Sequence, residues 1–261
     1  MFINNFDPVA FSFFSLQIKW YSISYILGIV LGWSYCKKKL IQDNKILNLF
    51  DDSIIYIIFG VIIGGRLGYV FIYNFKYYLE NTSEIFMIWN GGMSFHGGLI
   101  GVIISSYLFS KKNEKDIFIF LDLVSITAPV GIFFGRISNF INGELVGKIT
   151  NSSWGVLFTS YDDKLRHPSQ LYEAFLEGVI LFILMNLIFF NKNYKIGTCS
   201  IMFLILYGFF RITSEFFREP DMQIGYLYGH ISMGMLLSVI MILIGFLIYL
   251  KKKDETKSQK I

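Results

Sequence analysis

Apolar residues in this chain are gathered into seven long runs separated by shorter polar stretches. Each run approaches the roughly 20 residues that a helix needs to cross the hydrocarbon core of a bilayer. The pattern therefore predicts an all-α integral membrane protein with about seven transmembrane helices. The predicted segments are Leu16–Tyr35, Ile54–Tyr73, Phe95–Phe109, Ile117–Phe134, Leu171–Phe190, Gly197–Phe210 and Ile231–Leu250.

The third and sixth runs are short for a full crossing. We expect their helices to extend into flanking polar residues such as His96 and Arg211, which would then lie at membrane depth. Glycines recur at four-residue spacing, which lets helix backbones approach closely. These glycines are Gly28 and Gly32; Gly60, Gly64 and Gly68; Gly97 and Gly101; and Gly131 and Gly135.

The distribution of Lys and Arg predicts the orientation, because cytoplasmic loops carry the excess of basic residues. Of the 23 basic residues, fourteen lie in one set of alternate connections and in the C-terminal tail, six in the other set, and three inside or at the edge of apolar runs. The N-terminus is therefore predicted outside and the C-terminus in the cytoplasm. We divide the chain into a polytopic membrane catalytic domain, residues 1–250, and a polar, Lys-rich cytoplasmic tail, residues 251–261.

Composition supports a lipid environment and argues against other classes. Hydrophobic residues make up 54% of the 261 residues and charged residues 16%, whereas about a quarter of a soluble domain is charged. The net charge of +4 comes from short Lys clusters between apolar runs, so it does not indicate a nucleic-acid partner. Two isolated cysteines, Cys36 and Cys199, are too few for a disulfide framework or a metal site.

Charged residues inside apolar runs are the first candidates for function. A charge at mid-bilayer costs at least about 2.5–3.5 kcal/mol, so such a residue usually faces a cavity, a partner or a substrate. Arg66, Arg136 and Arg211 meet this criterion. In the predicted topology, Arg136 and Arg211 lie at the outer end of their helices, together with Tyr21 and His96.

Two arginines that face each other repel unless an anion lies between them, and the planar guanidinium suits phosphate. A phospholipid head group is an anion at that depth. Asn139 and Glu144, which follow Arg136, are expected to orient its guanidinium or to bind head-group hydroxyls. Glu215 lies four residues after Arg211, so a self-contained ion pair is the alternative interpretation there. For Arg66, a buried structural bridge is equally compatible with the flanking glycines.

His96 lies between small residues in NGGMSFHGGLIG, and imidazole titrates near neutrality, so it is a candidate acid or base. The alternative is a histidine satisfied by a backbone carbonyl. Tyr21 would by default belong to an interfacial aromatic belt. We detect no nucleophile elbow, P-loop or paired-cysteine pattern, and we predict neither a metal nor a cofactor. An enzyme of this kind would take its nucleophile from the substrate.

Five sequence stretches resemble the prolipoprotein diacylglyceryl transferase family, in the same order along the chain. They are GGRLGYVFIYN, WNGGMSFHGGLIG, GRISNFINGELVGK, RHPSQLYEAFLEG and FREPD, and the resemblance extends from about Trp20 to Gly234. The asparagine-rich stretch is the most specific of them. Two positions depart from the family pattern: Lys148 stands where arginine is common, and Met235 where glutamine is common.

The resemblance implies a bacterial cytoplasmic-membrane enzyme whose active site faces the extracytoplasmic leaflet. Such an enzyme moves diacylglyceryl from phosphatidylglycerol to the lipobox cysteine of a preprolipoprotein and releases glycerol phosphate. Catalytic roles are implied for four residues: Tyr21, His96, Arg136 and Arg211. Phosphatidylglycerol binding is implied for six: Arg136, Asn139, Glu144, Gly147, Arg211 and Glu215.

The sequence leaves the mechanism and two rival functions open. The substrate thiol could lose its proton to His96, or the arginines could stabilise the thiolate without a histidine. An anion transporter or channel would show repeats, or charges spread through both leaflets. A lipid-binding scaffold would bind phosphatidylglycerol without turnover.

Overall fold

The computed structural model describes residues 2–14, 16–220 and 224–252, and most of them are helical. Nine helices can be traced in these residues, two of which are short, and a π-helical turn follows α1 at Cys36–Leu40 while another joins α6 to α7 at Ala174–Ile180. The helices are α1 (Trp20–Tyr35), α2 (Asn44–Ile72), α3 (Phe75–Glu80), α4 (Phe95–Lys112), α5 (Ile117–Asn142), α6 (Ser169–Glu173), α7 (Leu181–Phe189), α8 (Thr198–Glu215) and α9 (Met233–Lys252).

A helix overlaps each of the seven predicted apolar runs. As expected, α4 includes His96 and α8 extends through Arg211. Four helical segments are long and apolar enough to cross a membrane: Asn44–Ile72, Ile117–Asn142, Ser169–Phe189 and Met233–Lys252. The predicted tail lies mostly outside the described residues, because α9 runs to Lys252 and residues 253–261 are not described.

The description as all-α was incomplete, because seven short strands form three small sheets. Strands β1 (Phe2–Asn4), β4 (Val156–Phe158) and β5 (Leu165–Arg166) form one sheet, with β1 parallel to β4. The antiparallel pairs β2 (Val9–Phe13) with β3 (Leu16–Lys19), and β6 (Tyr226–Tyr228) with β7 (Ile231–Ser232), form the others. Strands of two to five residues are too short for an alternating pattern to reveal them, and β3 replaces the predicted first turn of α1.

Helix α5 is central to the bundle and contacts α1, α4, α6, α7 and α8. Its side chains Phe120, Leu123 and Ile126 are fully buried in the main hydrophobic core. In contrast to the buried side chains of α5, exposed apolar side chains recur every four residues on the outer face of α2. They are Ile55, Phe59, Ile63, Leu67 and Phe71. A continuous apolar face of this kind is typical of a helix surrounded by lipid.

Glycines let two helix pairs pack backbone against backbone, as the sequence predicted. A methyl group added at Gly28 of α1 would lie 2.7 Å from Cα of Gly131 in α5, and one added at Gly68 of α2 would lie 2.6 Å from Cα of Gly97 in α4. The prediction was wrong for Gly135, where an added methyl group would meet no described atom within 4 Å.

Asp122 joins the ends of two helices inside the bundle. Its side chain is fully buried in α5 and accepts hydrogen bonds from the backbone N–H groups of Gly197 (2.6 Å) and Ser200 (2.7 Å), at the start of α8. The hydroxyl groups of Tyr194 (2.5 Å) and Ser200 also donate to it. The carboxylate therefore caps α8 from a neighbouring helix.

Candidate active site

A buried carboxylate connects Arg136 and Arg211, two of the three arginines that the sequence singled out. Glu173, at the end of α6, has no exposed surface. Its Oε1 accepts hydrogen bonds from Nη1 of Arg211 (2.6 Å) and Nη1 of Arg218 (3.2 Å), and its Oε2 lies 3.0 Å from Nη1 of Arg136. Three guanidinium groups from two helices and the following loop thus converge on one side chain.

Glu177 makes a second bridge one turn further along. Its Oε2 accepts a hydrogen bond from Nη2 of Arg136 at 3.0 Å, and its Oε1 lies 3.7 Å from Nη1 of Arg211. The hydroxyl of Ser214 donates to Oε1 of Glu177 at 3.2 Å. Glu177 has no exposed surface, so these contacts replace its hydration.

A third carboxylate completes the cluster. Oε2 of Glu215 lies 2.7 Å from Nη2 of Arg211, and Oε1 of Glu215 accepts a hydrogen bond from the Ser232 hydroxyl at 2.9 Å. Three arginines and three glutamates are therefore packed together, and their formal charges balance. We call the six residues the arginine–glutamate cluster: Arg136, Arg211, Arg218, Glu173, Glu177 and Glu215.

The protein thus supplies an anion between Arg136 and Arg211, Glu173, where the sequence analysis had proposed a phospholipid head group. Sequence analysis missed Glu173 and Glu177, although both are acidic residues in the apolar run YEAFLEG. The rule that identified the arginines, that charge at membrane depth needs a reason, applies equally to them. Their four-residue spacing places both on one helix face.

A second polar group lies where α1 meets the end of α5. The Asn139 side-chain amide donates to the Tyr21 hydroxyl and, at 3.4 Å, to Oε2 of Glu144. The arrangement depends on Gly143, which ends α5 with φ 65° and reverses the chain, so that the Glu144 N–H donates to the Asn139 carbonyl at 3.0 Å. This is a Schellman motif, in which glycine adopts the left-handed conformation without strain.

The expected role of Asn139 in orienting Arg136 is corrected by these contacts. The Asn139 amide nitrogen is directed to Tyr21 and Glu144, whereas Glu173 and Glu177 hold the Arg136 guanidinium. Asn139 is 3% exposed, and Glu144 is exposed at the surface of the site. Tyr21, Asn139 and Glu144 therefore form a separate polar group, with one solvent-facing carboxylate.

Gly147 lies in an extended segment between the segments that contain His167 and Arg218, and backbone contacts to both set its position. Its N–H donates to the His167 carbonyl at 3.1 Å, and it pairs across the other side with Arg218. An added methyl group would collide with the His167 carbonyl oxygen and lie 2.8 Å from the Phe217 carbonyl oxygen. Only glycine fits there, so the structure gives Gly147 a packing role beside Arg218.

His96 lies in the first turn of α4, where Ser94 caps the helix by accepting from the Gly97 N–H at 3.3 Å. Its Nε2 is buried and has no hydrogen-bond partner among the described residues. The alternative of a histidine satisfied by a backbone carbonyl is therefore not what the structure shows at Nε2.

Arg66 has the structural role that was its alternative interpretation. Its guanidinium donates to four carbonyl oxygens of the segment between α3 and α4, at Ile85 (2.9 Å), Gly91 (2.5 Å), Gly92 (3.2 Å) and Glu84 (2.6 Å). The side chain thus holds the segment that leads into His96. Backbone carbonyls satisfy a buried guanidinium without a substrate.

Outside the helices of the bundle, the pKa values of Asp162 and His167 are both lowered. Hydrogen bonds from Arg166 hold the pKa of Asp162 below its usual range, and burial lowers the pKa of His167. A neutral His167 suits its contact with the Tyr172 hydroxyl at 3.2 Å. Within the part of the chain that the structure describes, no group of three or more His, Cys, Asp and Glu side chains is placed to hold a metal ion.

Comparison with known proteins shows which family the chain belongs to. The family model described as prolipoprotein diacylglyceryl transferase matches residues 8–251. The chain is 47% identical over 259 residues to the phosphatidylglycerol–prolipoprotein diacylglyceryl transferase of Rickettsia bellii (strain OSU 85-389), covering 97% of both chains. It is 48% identical over 249 residues to the protein of that name from Wolbachia pipientis subsp. Culex pipiens (strain wPip), covering 94% of both. The chain therefore belongs to the prolipoprotein diacylglyceryl transferase family.

Proposed function

We propose that this protein transfers the diacylglyceryl group of phosphatidylglycerol to the lipobox cysteine thiol of a preprolipoprotein, the first step of lipoprotein maturation. A sulfur–carbon bond forms as the bond from the glyceryl carbon to the phosphate oxygen breaks. The leaving group is glycerol phosphate, and the thiol proton goes to a base or to the products. No cofactor enters this balance.

The observation that carries the proposal is the pair Arg136 and Arg211 on the shared carboxylate Glu173. Negative charge accumulates on the phosphate oxygens as the carbon–oxygen bond breaks. Guanidinium groups already fixed beside those oxygens stabilise this charge without reorganising during the reaction. Because most of the cluster is buried, water screens the interaction weakly.

The remaining site residues are assigned by chemistry and position. The Glu144 carboxylate is exposed next to Asn139 and Tyr21, so it can accept hydrogen bonds from the glycerol hydroxyls of the head group. Nε2 of His96 is buried and has no hydrogen-bond partner in the part of the chain that the structure describes, which supports its role as base. The second route, a thiolate stabilised by the arginines alone, uses the same cluster and is distinguished by pH dependence.

We also propose that all seven helical segments cross the bacterial cytoplasmic membrane, with the N-terminus outside and the C-terminus in the cytoplasm. The excess of Lys and Arg in alternate connections supports this orientation. The start of α1, the start of α4 and the end of α8 all contribute to the site, and this topology puts them at the extracytoplasmic leaflet. Single cysteines introduced at Lys164 and Lys251 would test it.

In intact cells, a membrane-impermeant thiol reagent should label the cysteine at position 164 and not the one at position 251. Both should be labelled after the membrane is permeabilised. Labelling of position 251 from outside would contradict the topology.

The activity is tested with purified protein, labelled phosphatidylglycerol and a lipobox peptide. We expect glycerol phosphate release that requires the peptide cysteine and stops when serine replaces it. A lipid-binding scaffold would bind the lipid and release nothing. A transporter would move an anion across vesicles that contain no peptide, and either result would refute the proposal.

A further inference from the structure

Glu173 and Glu177 contact the same arginine in different ways. Oε2 of Glu177 lies 3.0 Å from Nη2 of Arg136, and Oε2 of Glu173 lies 3.0 Å from Nη1. Glu173 also serves Arg211 and Arg218 through its other oxygen. Glu173 therefore divides its two oxygens among three guanidinium groups, whereas Oε2 of Glu177 contacts Arg136 and fixes one side of its guanidinium.

Glu177 is itself held in place from two sides. Its Oε1 accepts from the Ser214 hydroxyl, and Ser214 has no exposed surface. Glu177 lies in the π-helical turn Ala174–Ile180, whose helical turns are wider than those of α6 before it and α7 after it. Such turns occur often at functional sites.

We infer that Glu177 is a positioning residue for the reaction, which fixes the Arg136 guanidinium so that its outward-facing N–H groups meet the phosphate of the lipid. This inference rests on the proposed function. Both terminal nitrogens of Arg136 are engaged by carboxylates, and a guanidinium has five N–H donors. The donors that face away from Glu173 and Glu177 are those that can bind substrate, and Arg136 retains 14% side-chain exposure for this contact.

Charge balance gives the inference a distinctive signature. The six residues of the cluster have no net formal charge, which limits the attraction of Arg136 and Arg211 for a further anion. Replacing Glu177 by Gln keeps the shape and leaves one positive charge in excess. The variant should therefore bind an anion more tightly while it positions Arg136 less well, so KM and kcat should both fall.

The experiment measures kcat, KM for phosphatidylglycerol and the inhibition constant of glycerol phosphate for wild type and Glu177→Gln. We expect kcat to fall by about ten- to a hundredfold, as for a small misplacement of a catalytic group, while KM and the inhibition constant each fall by about fivefold. A purely structural role would lower the fraction of folded protein and leave KM and the inhibition constant at wild-type values. That outcome, or a rise in KM, would overturn the inference.

Two further variants keep the test decisive. Asp122→Asn is the matched control, because it also removes a fully buried carboxylate but lies outside the cluster, and it should lower thermal stability with unchanged KM. If Glu177→Gln does not fold, Glu177→Asp keeps the charge and shortens the side chain by one methylene. Its kcat should fall with KM unchanged, and a wild-type kcat would refute positioning.

Failure of the proposed function has a separate readout. Wild-type protein would then release no glycerol phosphate from phosphatidylglycerol in the presence of the lipobox peptide. Binding of glycerol phosphate, measured by calorimetry in detergent, would still report on Glu177. Equal affinity of wild type and Glu177→Gln in that measurement would overturn the inference alone.

Discussion

The Tyr21 hydroxyl accepts a hydrogen bond from the side-chain amide of Asn139, although 118 residues separate them in the chain. The contact joins the first turn of α1 to the last turn of α5. It also makes Tyr21 part of the site rather than of an interfacial aromatic belt alone. The same Asn139 amide also donates a hydrogen bond to Glu144. Loss of the tyrosine hydroxyl should therefore change the position of the exposed Glu144 carboxylate.

Tyr21→Phe should therefore reduce transfer by about tenfold, and should cost about 1 kcal/mol of stability through the lost hydrogen bond. Tyr25→Phe is the matched control, since Tyr25 lies one turn away, is 52% exposed and has its ring centroid 5.9 Å from that of Tyr21. The measurement is glycerol phosphate release together with thermal unfolding. Equal losses in the two variants would show that the Asn139 contact has no catalytic consequence.

Arg136→Lys should lose activity by about a hundredfold although the charge is kept. A compact ammonium group cannot contact both Glu173 and Glu177 and also donate in a planar fork to phosphate. The comparison is Arg66→Lys, which should lower thermal stability by breaking contacts to carbonyl oxygens while leaving turnover per folded molecule near normal. Near-normal turnover of Arg136→Lys would mean that charge alone is needed at this position.

His96→Gln should bind phosphatidylglycerol but transfer slowly, because a neutral amide cannot take the thiol proton. If His96 is the base, the rate of the variant should recover as the pH approaches the pKa of the substrate thiol, about 8.5, because the thiolate then forms without help. Rates between pH 6 and 9 are the measurement. If wild type and variant share one pH profile, the arginines alone stabilise the thiolate.

Asp122→Asn should lower stability by about 1–3 kcal/mol, because an amide offers one acceptor oxygen to donors that all face a carboxylate. The start of α8 would lose its cap, and thermal unfolding in detergent would report it. Asp116→Asn is the control, since Asp116 caps α5 at an exposed position where Asn is an equally good cap. Similar unfolding temperatures for the two variants would contradict the proposed capping role of Asp122.

Gly147→Ala should lose folded protein and activity together, because the added methyl group would collide with two backbone carbonyls. A loss of about 1–3 kcal/mol is typical of such overpacking. Gly135→Ala, where the methyl group meets open space, should be tolerated. If Gly147→Ala folds normally and shows only a raised KM for phosphatidylglycerol, Gly147 contacts the lipid directly and its role is not packing.

The sequence identified charged residues that would be costly in lipid. It did not predict which of these residues contact one another in the folded chain. Arg136 and Arg211 were found because charge in an apolar run is costly. Glu173 and Glu177 follow the same rule, because each is an acidic residue in an apolar run. Their partnership cannot be read from the chain, since 41 residues separate Arg136 from Glu177.

Local signals had a similar limit. Glycine spacing predicted that helix backbones approach closely, and the structure shows this between α1 and α5 and between α2 and α4. Which helices would pair was not predicted. The same spacing at Gly135 had no partner, because a four-residue repeat identifies a helix face but not what lies opposite. Family resemblance alone implied phosphatidylglycerol binding for Gly147, which stays a prediction. Its packing between the His167 and Phe217 backbones was not predicted, since a single glycine in a loop carries no signal of the segments that flank it.

The glycine contact between α2 and α4 determines how deep the His96 imidazole sits. His96 precedes Gly97, and the Gly97 backbone rests against Gly64 and Gly68 of α2. A larger side chain at either α2 position would push the first turn of α4 away and move the imidazole relative to Arg211. If His96 is the base, the glycines of α2 therefore set its position from outside the arginine–glutamate cluster, and a larger residue at Gly64 or Gly68 should slow transfer while lipid affinity stays the same.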